Sequence, residues 1–259
     1  MAQITNTYSQ YDAVGEREDL SDIIYSISPT DTPFMSNVGK NKATAVYHEW
    51  QTDALAAAAS DNHQVEGDEV AFNAMTATTR VGNRTQISRK AVIVSGTLEA
   101  VSKAGRNNEM AYQISKASKE LKRDMETTLL LNQAPVTGND TTARKLAGIE
   151  TWIATNTNKA SAGSPTPADP TGDGTDVRVV GTQRAFTEAQ LKNVVKKCWD
   201  SGGDPSMIML GSFNKQKLSG FTGGSTRFDP AENKRLVASV DIYESDFGAL
   251  TAVPNRFQQ

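Results

Sequence analysis

Cysteine and histidine are nearly absent from this sequence. Cys198 is the single cysteine among 259 residues, and His48 and His63 are the two histidines. One cysteine cannot build a disulfide framework within the chain, and two histidines without metal-motif spacing cannot build a histidine-rich metal site. Cys198 falls on the apolar face of a predicted helix, which favours a small core residue over a nucleophile. The sequence predicts a protein of a reducing compartment with no metal or cofactor.

Long apolar runs and strongly basic regions are also missing. No stretch of 18 consecutive apolar residues occurs, and the first residues lack the basic start and apolar run of a signal peptide, so no export or membrane span is expected. A net charge of -3 argues against a protein whose main function is to bind phosphate groups. The mean hydropathy of -0.47 is typical of an extended or oligomer-forming subunit, although a loop-rich monomer would look similar.

Catalytic motifs are missing as well. The sequence has no nucleophile elbow, no phosphate-binding loop with its lysine, and no dinucleotide fingerprint. Residues 169–174 resemble the first half of a calcium loop, but Val180 stands where a bidentate glutamate is needed. The acidic stretch Asp61 to Glu69 predicts a weak cation site, a solvated loop tip, or a contact with basic residues such as Arg80 and Arg84 on another copy. No enzyme is predicted.

One long helix is predicted from Asn107 to Gln133. Apolar and small residues recur there at the helical period: Met110, Ile114, Ala117, Leu121, Met125 and Thr128. Charged residues of both signs, Glu126 among them, occupy the other faces, which are expected to be wet or to meet charged neighbours. A coiled coil, an ordinary amphipathic helix and a long spine helix of a thin assembly subunit are the three interpretations.

Before this helix, the pattern predicts a long two-stranded excursion. Residues 43–51 alternate as a strand, with Val46 and Trp50 on one face and Tyr47 on the other. A polar loop follows over residues 53–73, and residues 76–94 return to strand-like composition. Because an isolated hairpin buries too little surface to be stable in water, it is expected to lie on a neighbour.

Shorter elements are predicted on both sides of this central part. Helical spacing from Leu20 to Ile27 predicts a short amphipathic helix, and Thr32-Pro33 predicts the cap and first residue of another. In the last third, a capping box at residues 187–190 predicts the start of a helix, and the apolar run after it predicts a buried strand. Ser212 is expected to cap a second helix, which two further strands follow. Four residues are expected in a core after the long helix: Leu146, Ile149, Trp152 and Ile153.

The order of these parts resembles the major capsid proteins of tailed bacteriophages. The resemblance rests on the motifs SPTDTPF, YHEWQTD, and AYQ followed by ELKRDMETTLLLNQ, in segments that cover about half of the chain. It implies an α+β chain with the Hong Kong ninety-seven (Johnson) fold: an N-terminal arm over 1–42, an extended loop over 43–94, a peripheral domain over 95–144 with the spine helix, and an α/β axial domain over 145–252. Residues 253–259 would begin a return toward the peripheral domain.

The function that the resemblance implies is structural. Such subunits form hexamers and pentamers of an icosahedral shell that encloses double-stranded DNA, alongside other capsid or portal proteins, in a virion assembled in the host cytoplasm. No active site is carried over. A hydrolase with an acidic site near Asp61–Glu69 and a fibre or adhesin module are the alternatives. Ten residues are candidates for contacts between subunits: Ile23, Ile24, Phe34, Val46, Tyr47, Trp50, Arg80, Arg84, Glu66 and Asp68.

Two departures from the family pattern bear on these expectations. Family members are expected to continue past Val253 with strands that return to the peripheral sheet, which leaves open a truncated sequence. The namesake phage joins its subunits covalently through a lysine in the extended loop, and no lysine occurs from Asp53 to Arg89 here, so a noncovalent shell is predicted.

Overall fold

The computed structural model describes residues 23–24, 26–70, 72, 74–163, 165–221 and 240–258. It divides into two compact units, one of Met1–Thr30 with Arg89–Leu121 and one of Asp31–Ser88 with Lys122–Gln259. In chain order the elements are α1 (Pro33–Asn37), β1 (Tyr47–Thr52), β2 (Thr79–Arg84), α2 (Gly96–Ala100), α3 (Glu109–Leu130), a 3₁₀ turn (Ile149–Trp152), α4 (Glu188–Asp200), β3 (Met207–Leu210), α5 (Ser212–Ser219), β4 (Ile242–Ser245) and β5 (Gly248–Pro254).

The predicted long helix is confirmed as α3, and polar side chains set where it begins. Asn108 Oδ1 accepts the N–H of Ala111 at 2.7 Å, the bond of an N-capping residue. The Glu99 carboxylate, from α2, accepts the N–H groups of Glu109 and Met110 at 3.0 and 3.3 Å. These bonds satisfy N–H groups that have no partner within a helix, so α3 starts at Glu109 rather than at Asn107.

As a spine helix, α3 is expected to place Met110, Ile114, Leu121 and Met125 against the peripheral sheet, and for three of them this is wrong in the single chain. Met110, Ile114 and Met125 are exposed, with 53% of Ile114 accessible, whereas Leu121 is half-buried and Glu126 is completely buried. The expectation that Glu126 is solvent-exposed or meets charged neighbours is wrong too, because neutral N–H groups bind its carboxylate. A helical period shows which side chains share a face, but it does not say which face the same chain covers.

The last third forms an α/β unit, as the sequence predicts. β5 lies in the centre of a three-stranded sheet, parallel to β3 and antiparallel to β4. The buried residues Leu191 and Val195 of α4 pack with Leu218 of α5 and with Leu250 and Ala252 of β5. The capping box is visible where Gln190 Oε1 accepts the N–H of Thr187 at 3.4 Å. Ser212 was expected to cap α5, but Gly211 holds that position and Ser212 is already helical.

Other boundaries are corrected by the structure. The second strand of the hairpin ends at Arg84, well before Val94, and the described residues 23–24 and 26–28 are not helical. The remaining part of that predicted short helix, and most of the N-terminal arm, lie outside the described residues. In the part of the chain that the structure describes, no helix combines the length and apolarity needed to cross a bilayer.

The segment after α3 is buried through different residues than expected. Ile149 and Ile153 keep more than a third of their surface exposed, while Ala147 and Thr151 are buried. Thr151 Oγ1 donates to the carbonyl of Gly148 at 2.7 Å, which stabilises the 3₁₀ turn. The backbone of this segment lies close to the residues that follow α3, since Gly148 N donates to the carbonyl of Gln133 at 3.0 Å.

Replacing Gly148 with alanine is expected to destabilise the subunit strongly. A Cβ at this position would overlap the carbonyl oxygen of Leu131, a backbone atom that cannot move without displacing the end of α3. Overpacking of this kind costs about 1–3 kcal/mol, and the upper end is expected because the clash is with backbone. Urea unfolding followed by circular dichroism measures the change. Gly39→Ala is the control, since nothing lies within 4 Å of a Cβ there; equal stability of the two variants would contradict the prediction.

Candidate assembly surfaces

The hairpin of β1 and β2 carries several of the residues predicted to contact other subunits. The two strands pair antiparallel, with Tyr47 opposite Arg84 and Gln51 opposite Arg80. Arg80 Nε lies 3.0 Å from a carboxylate oxygen of Glu49, and the Arg84 guanidinium stacks 5.0 Å from the centre of the Tyr47 ring. Both arginines therefore already have partners within their own hairpin.

The base of the hairpin is fastened to the segment after α3. Asn83 Nδ2 donates to the carbonyl of Ala147 at 3.1 Å, and its Oδ1 accepts the N–H of Ala147 at 2.9 Å. The rings of Trp50 and Trp152 lie with their centroids 5.0 Å apart. Trp50, Tyr47 and Val46 nevertheless remain more than a third exposed, and every residue of β1 is exposed. The hairpin thus has one anchored end and an open surface of aromatic and apolar side chains.

Between the two strands, the described residues form no helix or strand and expose large apolar groups. Leu55 is 99% exposed, and Phe72 and Met75 are each 96% exposed. Glu66 and Asp68 are also exposed and flank Gly67, which has a φ of 86° in a turn closed by the N–H of Asp68 donating to the carbonyl of Val65 at 3.1 Å. Isolated apolar side chains on a surface are ordinary, but several along one projecting segment mark a surface for a partner.

Three of the candidates for contacts between subunits belong to the predicted N-terminal arm, and they are placed differently from one another. Ile23 and Ile24 are exposed in the first unit. Phe34 is half-buried at the start of α1, where Pro33 occupies the first helical turn as predicted. Phe34 and the exposed Val38 line a largely apolar cavity of about 430 Å³, together with Met207 and Met209.

A buried carboxylate joins α1, α3 and the residues after β5. Glu126 Oε1 accepts the N–H of Phe34 and the side-chain amide of Asn255, and Oε2 accepts the N–H of Met35, each at 2.8 Å. An ionised carboxylate is costly to bury unless hydrogen bonds replace its water, and here three donors do so. We call Glu126 with these three donors the Glu126 clamp.

Asn255 is held from several directions in the same place. It is 1% exposed, its N–H donates to the carbonyl of Leu210 at 2.8 Å, and its Oδ1 accepts the N–H of Phe257 at 2.8 Å. The Phe257 ring lies 5.8 Å from the Arg123 guanidinium, one turn before Glu126 on α3. Sequence reasoning missed Glu126 and Asn255, since a single glutamate on a helix rich in charges gives no signal of burial.

The acidic residues that resembled half of a calcium loop have structural roles. Asp169 lies 2.8 Å from Lys159 Nζ and 2.6 Å from Arg178 Nη1. Burial alone would raise the pKa of Asp169, but hydrogen bonds from Lys159 and Thr157 and the nearby positive charges hold it below its usual value. Among the residues that the structure describes, no group of three or more histidine, cysteine or acidic side chains is arranged to hold a metal ion.

Comparison with known proteins decides what these surfaces belong to. Residues 3–259 match the family model described as SU10 major capsid protein. The chain belongs to this family. It is also 30% identical over 275 residues to the major capsid protein of Escherichia phage Phieco32, an alignment that covers 93% of this chain and 77% of that protein. The capsid protein is therefore a structural component of a phage virion and not an enzyme, and neither the hydrolase nor the adhesin alternative is supported.

The mixed α+β architecture agrees with this family. The predicted resemblance to phage major capsid proteins is confirmed by the family match and by the relative. Family membership also implies that copies of the capsid protein assemble with one another. Exposed surfaces such as the open face of the hairpin and the apolar side chains of residues 53–78 are consequently candidates for contact between copies.

Proposed function

We propose that the capsid protein is the main building block of an icosahedral head, arranged in hexamers and pentamers around packaged double-stranded DNA and assembled in the host cytoplasm. The observation that carries this proposal is the segment between β1 and β2, with Leu55, Phe72 and Met75 almost completely exposed. A neighbouring copy that covers these side chains would remove apolar surface from water at a gain of roughly 25 cal/mol per Å². Repeated over a closed shell, such contacts sum to a stable particle.

We further propose the domain arrangement of the Hong Kong ninety-seven fold. The arm would span 1–42, the extended loop 43–94, the peripheral domain 95–144, and the axial domain 145–252. The strand pair at 47–52 and 79–84 supports the loop, α3 supports the spine, and the core of α4, α5 and the three-stranded sheet supports the axial domain.

The last described residues support a return toward the spine helix. Asn255 bonds to Glu126, and Phe257 lies against Arg123, both of which belong to the second half of α3. Residues 253–259 would therefore lead the chain back from the axial domain to the peripheral domain. The same clamp would hold α1, and with it the end of the arm, on α3.

Electron microscopy of the protein expressed alone, and together with the other head proteins of its phage, tests the assembly proposal. Closed icosahedral particles built of hexamers and pentamers are expected. Analytical ultracentrifugation of the same samples separates particles of megadalton size from small oligomers. Discrete dimers or trimers in both preparations would overturn the proposal.

The subunits of these particles are expected to be joined without covalent bonds. No lysine lies between Asp53 and Arg89, so the segment that projects from the hairpin has no amine to form an isopeptide bond. Purified particles heated in denaturant should run on a gel as a single band of 27.9 kDa. A ladder of covalent multimers in this gel would contradict the prediction.

A further inference from the structure

A basic groove lies in the second unit, beside the start of α5. Its cavity measures about 690 Å³. Among the described residues that line it, none is an aspartate or glutamate and four are positively charged: Lys159, Arg178, Arg184 and Arg256. A concave surface lined with charges of one sign focuses the electrostatic potential toward any ligand of opposite charge.

Two of these cations remain available for a ligand. Asp169 pairs with both Lys159 and Arg178 and so offsets part of their charge, although it does not itself line the groove. Arg184 donates to the backbone and side-chain oxygens of Asn158, neutral groups that orient its guanidinium without cancelling its charge. In the described part of the chain no carboxylate forms an ion pair with Arg184 or Arg256. The groove therefore keeps a surplus of positive charge.

The chain also carries an exposed acidic turn that matches this surplus. From Asp53 to Thr79 there is no lysine or arginine, and four of the acidic residues cluster near the middle: Asp61, Glu66, Asp68 and Glu69. All four are exposed. The turn closed between Val65 and Asp68 carries the exposed residues Glu66 and Asp68 on either side of Gly67, and Asp68 Oδ1 accepts the N–H of Glu69 at 3.0 Å.

We propose that the turn of residues 65–69 of one copy docks into the basic groove of a neighbouring copy. This inference rests on the proposed assembly of copies and names one pair of surfaces within it. Complementary charges of this kind select the correct register between copies more than they add raw affinity. Arg80 and Arg84 are weaker candidates for the same carboxylates, because each already has a partner in its own hairpin.

The shape of the groove favours a protein turn over a DNA duplex. Cavities of roughly 300–1,000 Å³ hold compact ligands, which is the size range of a few side chains at a turn. A duplex instead presents its phosphates along a long convex cylinder, at about one charge per 1.7 Å of axis, and needs basic groups spread along a face. The four cations gathered here in one cavity do not offer such a face.

A charge exchange tests the proposal. Arg184→Glu/Arg256→Glu reverses the groove, Glu66→Lys/Asp68→Lys reverses the turn, and the quadruple variant exchanges both. Each double variant is expected to lower the yield of sedimenting particles by about tenfold or more, and the quadruple variant is expected to restore it, because the charges match again. The control double reversal Lys122→Glu/Lys196→Glu lies at exposed positions that do not line the groove and should assemble like the wild type.

Disulfide trapping gives a second measurement that does not depend on the stability of the charge variants. In a Cys198→Ser background, Asp68→Cys/Arg256→Cys should give oxidised particles whose subunits run as linked multimers on a non-reducing gel, while Asp68→Cys/Lys196→Cys should stay monomeric. The proposal would be overturned if Asp68→Cys/Arg256→Cys gave no linked multimers. It would also be overturned if both charge-reversal double variants assembled fully, if the quadruple variant assembled no better than they do, or if the control double reversal lost as much yield. Normal empty particles of the groove variant that lack only DNA would assign the groove to phosphate instead. A wild-type chain that forms no particles would overturn the assembly proposal itself.

Discussion

Replacing Glu126 with alanine is expected to destabilise the subunit by about 3–5 kcal/mol, because three donors would lose their acceptor at about 1–3 kcal/mol each. The amide of Asn255 is buried, and the N–H groups of Phe34 and Met35 are partly buried and therefore fall at the lower end of that range. The total loss is a large part of the roughly 5–15 kcal/mol that holds a typical domain folded. The unassembled subunit should unfold at a lower urea concentration, and protease should cut near α1 sooner than in the wild type.

Glu126→Gln is the informative companion variant. It keeps the shape and one acceptor oxygen, but its amide group would point a donor at a backbone donor, so an intermediate loss of about 1–3 kcal/mol is expected. Glu120→Ala serves as the control, since this glutamate lies on the same helix and is only partly buried. A Glu126→Ala subunit that unfolds at the same urea concentration as the Glu120→Ala subunit would show that the clamp contributes nothing to stability.

Replacing Leu55, Phe72 and Met75 together with serine is expected to abolish shell assembly while leaving the subunit folded. These side chains are almost completely exposed within one chain, so their loss should change the free energy of unfolding by no more than about 0.5 kcal/mol. In a shell they would be covered by a neighbour, and their replacement would remove that contribution from every subunit at once. Particle yield by sedimentation and the unfolding midpoint are measured on the same preparation.

A matched control separates loss of apolar contact from any change to this segment. Ser60→Ala/Gln64→Ala/Thr76→Ala alters three exposed polar positions of the same segment and should assemble normally. If the serine variant forms particles at the wild-type yield, the segment does not supply the contact proposed for it. If the serine variant fails to fold, the segment is part of the subunit core, which is equally contrary to the expectation.

Local sequence patterns predicted the helices and strands well where capping residues or apolar periodicity mark them clearly. The long helix, the capped helix α4 and the strands of the last third are all present, because capping residues and apolar periodicity act within a few neighbouring residues. The extent of the hairpin was predicted poorly. Residues 85–94 have strand-like composition, but pairing in a two-stranded sheet ends where the partner strand ends.

Some residues of the candidate surfaces could likewise be predicted from local sequence patterns, and others could not. Tyr47 and Trp50 were identified because alternation with large side chains on both faces indicates a strand that needs cover on both sides. The basic groove gave no signal, since residues 159, 178, 184 and 256 are distant in the sequence and are brought to one cavity by the folded loops. A contact of Arg80 and Arg84 with the acidic residues of another copy stays a prediction.

The sequence by itself determined the absence of a metal or nucleophile motif, the long helix, the exposed acidic segment and the resemblance to phage capsid proteins, because each depends on residue type and spacing along the chain. Tertiary structure alone decided which face of α3 is buried. The periodic stripe of Met110, Ile114 and Met125 stays largely open, and Glu126 is enclosed instead, since the donors that make its burial affordable come from residues 34, 35 and 255. Burial of a charge depends on groups far away in the chain, and no local pattern contains them.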